Sequence, residues 1–438
     1  MIWHIIKYWV SFIIPTFYKR IQGRNIKNLQ VKGPVIMAMN HPNAFTDPIV
    51  ITNVSYPLRL KYLARGDAFK PGLIAWLLER IGIVPIFRMQ DGGKEGLKKN
   101  DEAYRRVNYL LKRNAKIMVF AEGLCIQERR LRPLKKGSAR MVFGAWEAIN
   151  NPDLRVVPVG INYSQADKFR STVFYNVGEP IMVKDFIAEY NENPAKAYNT
   201  FLQMLAPAMK GLITHIDKPE NDEVVYQAET LLKRKLLKEQ GLDYTNLEHD
   251  FNVLTQITEK INAAAMTNQP ALDEFKPKAR AYFNDLKKNG LRDWLFDPAR
   301  NRQVSSFYLA LRYILLILGF PLYALGMAGN YLPLKLSAKT ASKIVKHKEF
   351  YSSFFIAMAM VFFLLNYLLW FFIPYAFSPN VLWPIVICLA IGLCGWFSLY
   401  YHPFLYKTLG MTRVLKNKAL AKEFSKRRGE LLSLINKF

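Results

Sequence analysis

Three short blocks of this sequence hold the residues best suited to chemistry. The first, Met39-Asn40-His41-Pro42-Asn43-Ala44-Phe45-Thr46-Asp47-Pro48, sets an imidazole and a carboxylate six positions apart. An imidazole titrates near neutral pH, and a carboxylate on its second nitrogen would fix the tautomer and stabilise the imidazolium. His41 and Asp47 are therefore candidates for general-base work, although such a pair also occurs as a plain loop contact. The second block, Gly82-Ile83-Val84-Pro85-Ile86-Phe87-Arg88, ends on a guanidinium. Arg88 could grip a phosphate with two parallel hydrogen bonds, or pair with a neighbouring acid such as Asp91. The third block, Phe120-Ala121-Glu122-Gly123, runs on through Cys125 to a basic stretch containing Arg129, Arg130 and Lys135. Gly123 would let backbone approach a ligand, and Glu122 could orient a substrate hydroxyl. The basic stretch could hold phosphates or form a solvated face. Cys125 has no local His partner and reads as a bystander, and no His/Cys spacing points to a metal.

These groups need a frame. Apolar runs at 33–39, 61–64, 84–87, 117–120, 156–161 and 172–175 read as strands, and helical patterns fall at 71–80, 95–113 and 138–149. Strands alternating with helices predict an α/β fold with a largely parallel sheet flanked by helices, in which sites gather beyond the strand ends. His41, Arg88 and Glu122 each fall at or just past such an end. Asp47 is expected to cap a helix that starts at Pro48.

With 438 residues there is room for two or three domains, and the net charge of +27 favours anionic partners. Lipid headgroups and phosphate-bearing substrates rank above nucleic acid, because no zinc-finger, RNP or basic-zipper pattern is present. Cys125, Cys388 and Cys394 make no disulfide framework, which fits a reducing, cytoplasm-facing location. Residues 1–24 are apolar and aromatic-rich with no cleavage pattern. They read either as a helix in the membrane interface, with Trp3, Trp9 and Tyr18 at headgroup depth, or as a core helix of the first domain.

Taken in order, Asn40-His41 to Asp47-Pro48, Gly82 to Arg88, Phe120-Ala121-Glu122-Gly123 and Val157-Pro158-Val159-Gly160 resemble the phospholipid/glycerol acyltransferase superfamily. The likeness to the 1-acylglycerol-3-phosphate acyltransferases covers roughly residues 25–215. It implies a general base at His41 oriented by Asp47, a phosphate-binding Arg88, and an acceptor pocket shaped by Glu122 and Gly123. The implied donor is acyl-CoA or acyl-carrier protein, the acceptor is a glycerol phosphate, and no cofactor is needed. Two features depart from the usual pattern. Five residues separate His41 from Asp47 where the family has four, as in the branch containing the fungal glycerol-3-phosphate acyltransferases. Ala121 replaces the usual Pro, and Leu124, Cys125 and Ile126 replace the expected Arg or Ser, so phosphate contacts would shift to Arg129, Arg130 or Lys135. A non-catalytic lipid-binding or scaffold protein with the same fold is the competing reading.

The α/β region is expected over 25–218. A helical segment follows over 219–304, with apolar residues at helical spacing and interruptions near Pro270 and Pro277. Apolar stretches near 305–333, 351–377 and 381–405 make a membrane tail over 305–406, before a basic cytoplasmic helix over 407–438. Arg300 and Arg302 precede the first stretch, and Lys335, Lys339, Lys343, Lys346 and Lys348 follow it. Three plain crossings would put that Lys-rich loop on the outer side, against the positive-inside rule. The expectation is therefore a re-entrant hairpin over 305–333, broken at Gly319-Phe320-Pro321, followed by two crossings, with a plain three-span tail as the alternative. The catalytic region would then lie on the cytoplasmic face of the membrane.

Overall fold

The computed structural model describes residues 11, 13–55, 58, 60–66, 72, 76, 82–86, 89–297 and 305–438. Residues 1–10, nearly all of the expected helix at 71–80, Arg88, and the Arg300–Arg302 pair lie outside the described residues. The described chain divides into two compact units.

The first unit takes in residues up to 215 together with 246–251 and 347–353. Its centre is an eight-stranded sheet: β1 (Arg20–Arg24), β2 (Val35–Met39), β3 (Leu60–Arg65), β4 (Ile83–Ile86), β5 (Lys116–Phe120), β6 (Arg155–Tyr163), β7 (Thr172–Val177) and β8 (Ile181–Met182). The order is β1-β7-β6-β2-β5-β3-β4, with β8 beside β6. Every described pairing is parallel except β6 with β7 and β6 with β8. All five residues of β2 are buried, as expected of a central strand covered on both faces. Helices α1 (Thr46–Val54), α2 (Met89–Lys112), α3 (Lys136–Ile149) and α4 (Pro194–Lys210) accompany the sheet. Val107, Leu111, Phe143, Phe201 and Leu205 from three of them share one apolar core with Ile36, Ile117 and Val156 of the strands.

Two boundaries move. Residues 20–24 form a strand paired with β7, so the α/β region starts earlier than 25 and the expected helix over 1–24 does not reach its own end. The described helical turns at 13–17 place Ile14 and Phe17, with Tyr18 just beyond, in the interior of this unit. That fits the core reading of this part of the N-terminus. Asp47 sits inside the first turn of α1, preceded by Phe45 at the cap position, so it does not cap the helix.

The second unit holds α5 (Asp222–Glu239), most of α6 (Leu247–Thr267), α7 (Gln269–Lys288), α8 (Ser306–Ile344), most of α9 (Tyr351–Phe377), α10 (Leu382–Lys416) and α11 (Lys418–Ile435). Pro270 lies in the first turn of α7, where a missing N–H costs nothing, and Pro277 is carried inside that helix. Phe424, Leu431 and Leu434 of α11 share a core with Val224, Leu231, Phe275 and Tyr282, so the basic C-terminal helix packs with the helical segment. Within that core Arg428 Nε donates to Asp293 Oδ1 at 3.0 Å, and Tyr282 Oη donates to the same oxygen at 2.8 Å.

α8, α9 and α10 are each long and apolar enough to cross a membrane. α8 runs unbroken for 39 residues through Gly319-Phe320-Pro321, which corrects the expected hairpin. Proline removes the N–H that would bond the carbonyl four residues back, and inside a bilayer that carbonyl needs another donor. At Pro333 the carbonyl is that of Gly329, and Asn366 Nδ2 of α9 donates to it at 2.9 Å. One residue from the carbonyl that Pro321 leaves open, Leu316 O accepts Tyr401 Oη at 2.7 Å. Gly326 and Gly329 bring α8 close to α10, where a Cβ would collide with Cys394 and Ile391. α10 likewise continues past 406, through the expected end of the tail.

Candidate active site

β2, β5 and β6 are neighbours in parallel register, with Met39 opposite both Phe120 and Val159. Their carboxyl ends deliver His41, Glu122 and Tyr163 to one edge of the sheet. The chain leaves β2 through Asn40, whose side chain extends the ladder: Ile161 N donates to Asn40 Oδ1 at 2.8 Å, and Asn40 Nδ2 donates to Ile161 O at 3.1 Å. His41 is thereby fixed against β6. Its ring stacks on Phe120 at 3.5 Å between centroids and 13° between planes.

His41 Nδ1 lies 2.9 Å from Asp47 Oδ2. Asp47 is wholly buried, and a buried carboxylate must have its oxygens satisfied. Oδ2 also accepts Asn43 N–H at 2.8 Å, and Oδ1 accepts Tyr163 Oη at 2.6 Å. Asn43 is held in turn, its Nδ2 donating to Tyr18 Oη at 2.9 Å and to Ala166 O at 3.1 Å. With Nδ1 engaged, Nε2 is the ring nitrogen that none of the described residues hydrogen-bonds. The imidazole keeps 16 % of its side-chain surface open, against none for Asp47.

Glu122 links the first and third blocks. Oε1 accepts His41 N–H at 3.3 Å and Oε2 accepts Arg132 N–H at 3.0 Å, so the carboxylate bolts the first block to the third. Burial pushes its pKa up to about 7, against the lowering effect of those two backbone donors. Gly123 has φ +68, a left-handed conformation suited to glycine, and the Lys135 stem lies against it. Of the expected phosphate ligands, Arg129 Nη2 donates to Ser164 O at 2.9 Å and Arg130 Nε pairs with Glu128 at 3.1 Å. Glu128 also takes two hydrogen bonds from Arg132, each 2.9 Å. Much of the basic run is thus braced locally, while Lys135 is exposed. Cys125 Sγ accepts Ala44 N–H at 3.0 Å, and burial pushes the thiol well up, in keeping with a supporting role. Among the described residues no cluster of His, Cys, Asp or Glu is placed to hold a metal ion.

Tyr163, Asn40 and Asn43 are the site residues that sequence reasoning passes over. The signal for Tyr163 is the one used for His41: it ends a strand adjacent to β2.

Residues 20–162, which hold His41, Asp47 and Glu122 and stop one residue short of Tyr163, match the family model described as "Acyltransferase". The match lies within the α/β unit. This domain is similar to the Saccharomyces cerevisiae protein "Glycerol-3-phosphate O-acyltransferase 1", 34% identical over 110 residues, which is 25% of this chain and 14% of the yeast protein. It is similar also to "1-acyl-sn-glycerol-3-phosphate acyltransferase BAT2, chloroplastic" of Brassica napus, 31% identical over 136 residues, 31% of this chain and 36% of that one. The matches thus span from 14% to 36% of these relatives' own lengths. Among solved structures, the 1-acyl-sn-glycerophosphate acyltransferase PlsC of Thermotoga maritima matches with a TM-score of 0.35 and 16% identity, over 48% of this chain and 77% of that one.

Proposed function

We propose that this chain is a membrane-bound O-acyltransferase that moves a fatty acyl group from acyl-CoA or acyl-carrier protein to glycerol 3-phosphate or 1-acylglycerol 3-phosphate. The observation that carries the reading is the bracket on the imidazole: Nδ1 at 2.9 Å from a carboxylate that is itself buried and held by two further donors. With Nδ1–H committed to Asp47, Nε2 takes the proton of the acceptor hydroxyl. The acceptor oxygen attacks the thioester carbonyl carbon, a C–O bond forms, and the tetrahedral oxyanion collapses with cleavage of the C–S bond. The departing thiolate takes the proton from the imidazolium, which returns His41 to its neutral form. A positioned base of this kind contributes on the order of 10²–10⁴-fold.

Arg88, two residues beyond β4, would hold the acceptor phosphate as a bidentate partner, with Lys135 as a second cation. Glu122 and Gly123 would shape the acceptor pocket, Glu122 by fixing the backbone of His41. No resident cofactor is called for. The product would enter the bilayer held by α8, α9 and α10, with the catalytic unit on the cytoplasmic face, where the Lys-rich segments are favoured. Similarity to proteins named for acceptors of the glycerol phosphate type supports the substrate class.

The test is to offer purified protein the two acceptors separately with a labelled thioester donor and to identify the lipid formed. Labelled lysophosphatidic acid from glycerol 3-phosphate, or phosphatidic acid from its 1-acyl form, supports the proposal. Failure of both acceptors with both donors overturns it.

A further inference from the structure

Residues 347–353, the end of the α8–α9 connection and the first residues of α9, belong to the catalytic unit. Two adjacent serines in the first turn of α9 reach the first block. Ser353 Oγ lies 3.1 Å from Thr46 N and 3.0 Å from Thr46 Oγ1. Ser352 Oγ donates to Ala166 O at 2.7 Å, the same carbonyl that accepts Asn43 Nδ2. Ser352 and Thr46 are fully buried, and the Phe350 ring meets Phe45 edge-on at 6.5 Å.

The contacts of these serines bear on the turn that leads into Asp47. Thr46 precedes it at the start of α1, whose cap residue Phe45 offers no side-chain acceptor, so Thr46 N–H is shared between Asn43 O and Ser353 Oγ. At the start of the turn, Asn43 gives its own N–H to Asp47 Oδ2 while Ala166 O and Tyr18 hold its side chain. Between them Ala44 has φ 30, a conformation that an L-residue keeps only where its surroundings impose it.

We propose that Ser352 and Ser353 are positioning residues for the His41–Asp47 pair: the first turn of an apolar helix supplies two hydroxyls, one bonded to Thr46 directly and one to the Ala166 carbonyl that also holds Asn43. The proposal rests on the acyl-transfer reading for its kinetic consequence, but the geometry it describes can be read without turnover.

Two readouts on the full-length protein test it. In acyl transfer, Ser353→Ala and the double variant Ser352→Ala/Ser353→Ala should lower kcat by roughly tenfold or more, since sub-ångström misplacement of a catalytic group can cost up to about 10². KM for donor and acceptor should stay within about twofold, and Ser353→Thr, which keeps the hydroxyl, should restore the rate. Melting temperatures separate this from misfolding. The second readout is the Nδ1–H resonance of His41 in ¹⁵N-histidine-labelled protein, assigned by its loss in His41→Ala. It should shift or broaden in the double variant and return in Ser353→Thr. A folded double variant with wild-type kcat, or with KM rising in place of the kcat loss, overturns the proposal. If the wild-type protein transfers no acyl group, the acyl-transfer reading fails on its own, and an unchanged His41 resonance in the double variant then overturns the positioning claim separately.

Discussion

Asp47→Asn separates the two things this carboxylate does. Its Oδ2 accepts from His41 Nδ1 and Asn43 N, and its Oδ1 accepts from Tyr163 Oη. An asparagine oriented with its amide oxygen in the Oδ2 position keeps the first two bonds, and the Tyr163 hydroxyl can rotate to accept from the new Nδ2. The Nδ1–H tautomer and the loop geometry therefore survive, and only the charge is lost. At about 4 Å between charge centres and an effective dielectric near 20, that charge attracts an imidazolium by about 4 kcal/mol, or roughly a thousandfold in rate. Solvent reaching the partly open imidazole reduces this, so the expected fall in kcat is about 10²–10³-fold with little change in melting temperature. Asp47→Ala should lose more and melt lower, because it leaves Asn43 N–H and Tyr163 Oη without their buried acceptor. The assay is transfer of labelled acyl groups by the three proteins at matched folded concentration. Asp47→Asn turning over at the wild-type rate would refute the reasoning, since the charge would then contribute nothing to the reaction.

Tyr163→Phe removes a hydrogen bond to a buried carboxylate and should cost about 1.5–3 kcal/mol of stability, read as a lower melting temperature alongside reduced kcat. For Glu122, burial raises the folded-state pKa from 4.5 to about 7, so between those values the folded chain keeps a proton that the unfolded chain has released. Its contribution to stability is therefore lost as pH rises from about 4.5 through 7, by about 3 kcal/mol in all. Melting temperatures across that window should show this slope, and Glu122→Gln should remove it. Arg88→Ala should raise KM for the acceptor far more than for the donor, and an equal effect on both would point to a structural role.

β2 to β7 were legible because each is a short apolar run between turn signals, whereas β1 (Arg20–Arg24), with two arginines and a glycine, and the two-residue β8 carry no such run. The placement of His41 and Glu122 past strand ends followed from that alone. What each side chain would touch did not follow. Glu122 looked like a substrate ligand because sequence cannot show that two backbone N–H groups converge on it. Arg130 looked like an available cation because Glu128, two positions before it, is unremarkable in sequence. The break expected at Pro321 fails for a related reason. Proline ends a helix where nothing replaces the lost hydrogen bond, and in α8 side chains from facing helices supply donors at or next to the open carbonyls. The serines at 352 and 353 lie some three hundred positions from the block they support, and no local pattern connects them.

The most direct measurement of the central claim is the rate of acyl transfer by His41→Ala beside the wild-type protein, both purified, folded and supplied with the preferred acceptor. The imidazole acting as general base predicts a loss of about 10²–10⁴-fold with the acceptor still bound. Transfer undiminished by the substitution would contradict it.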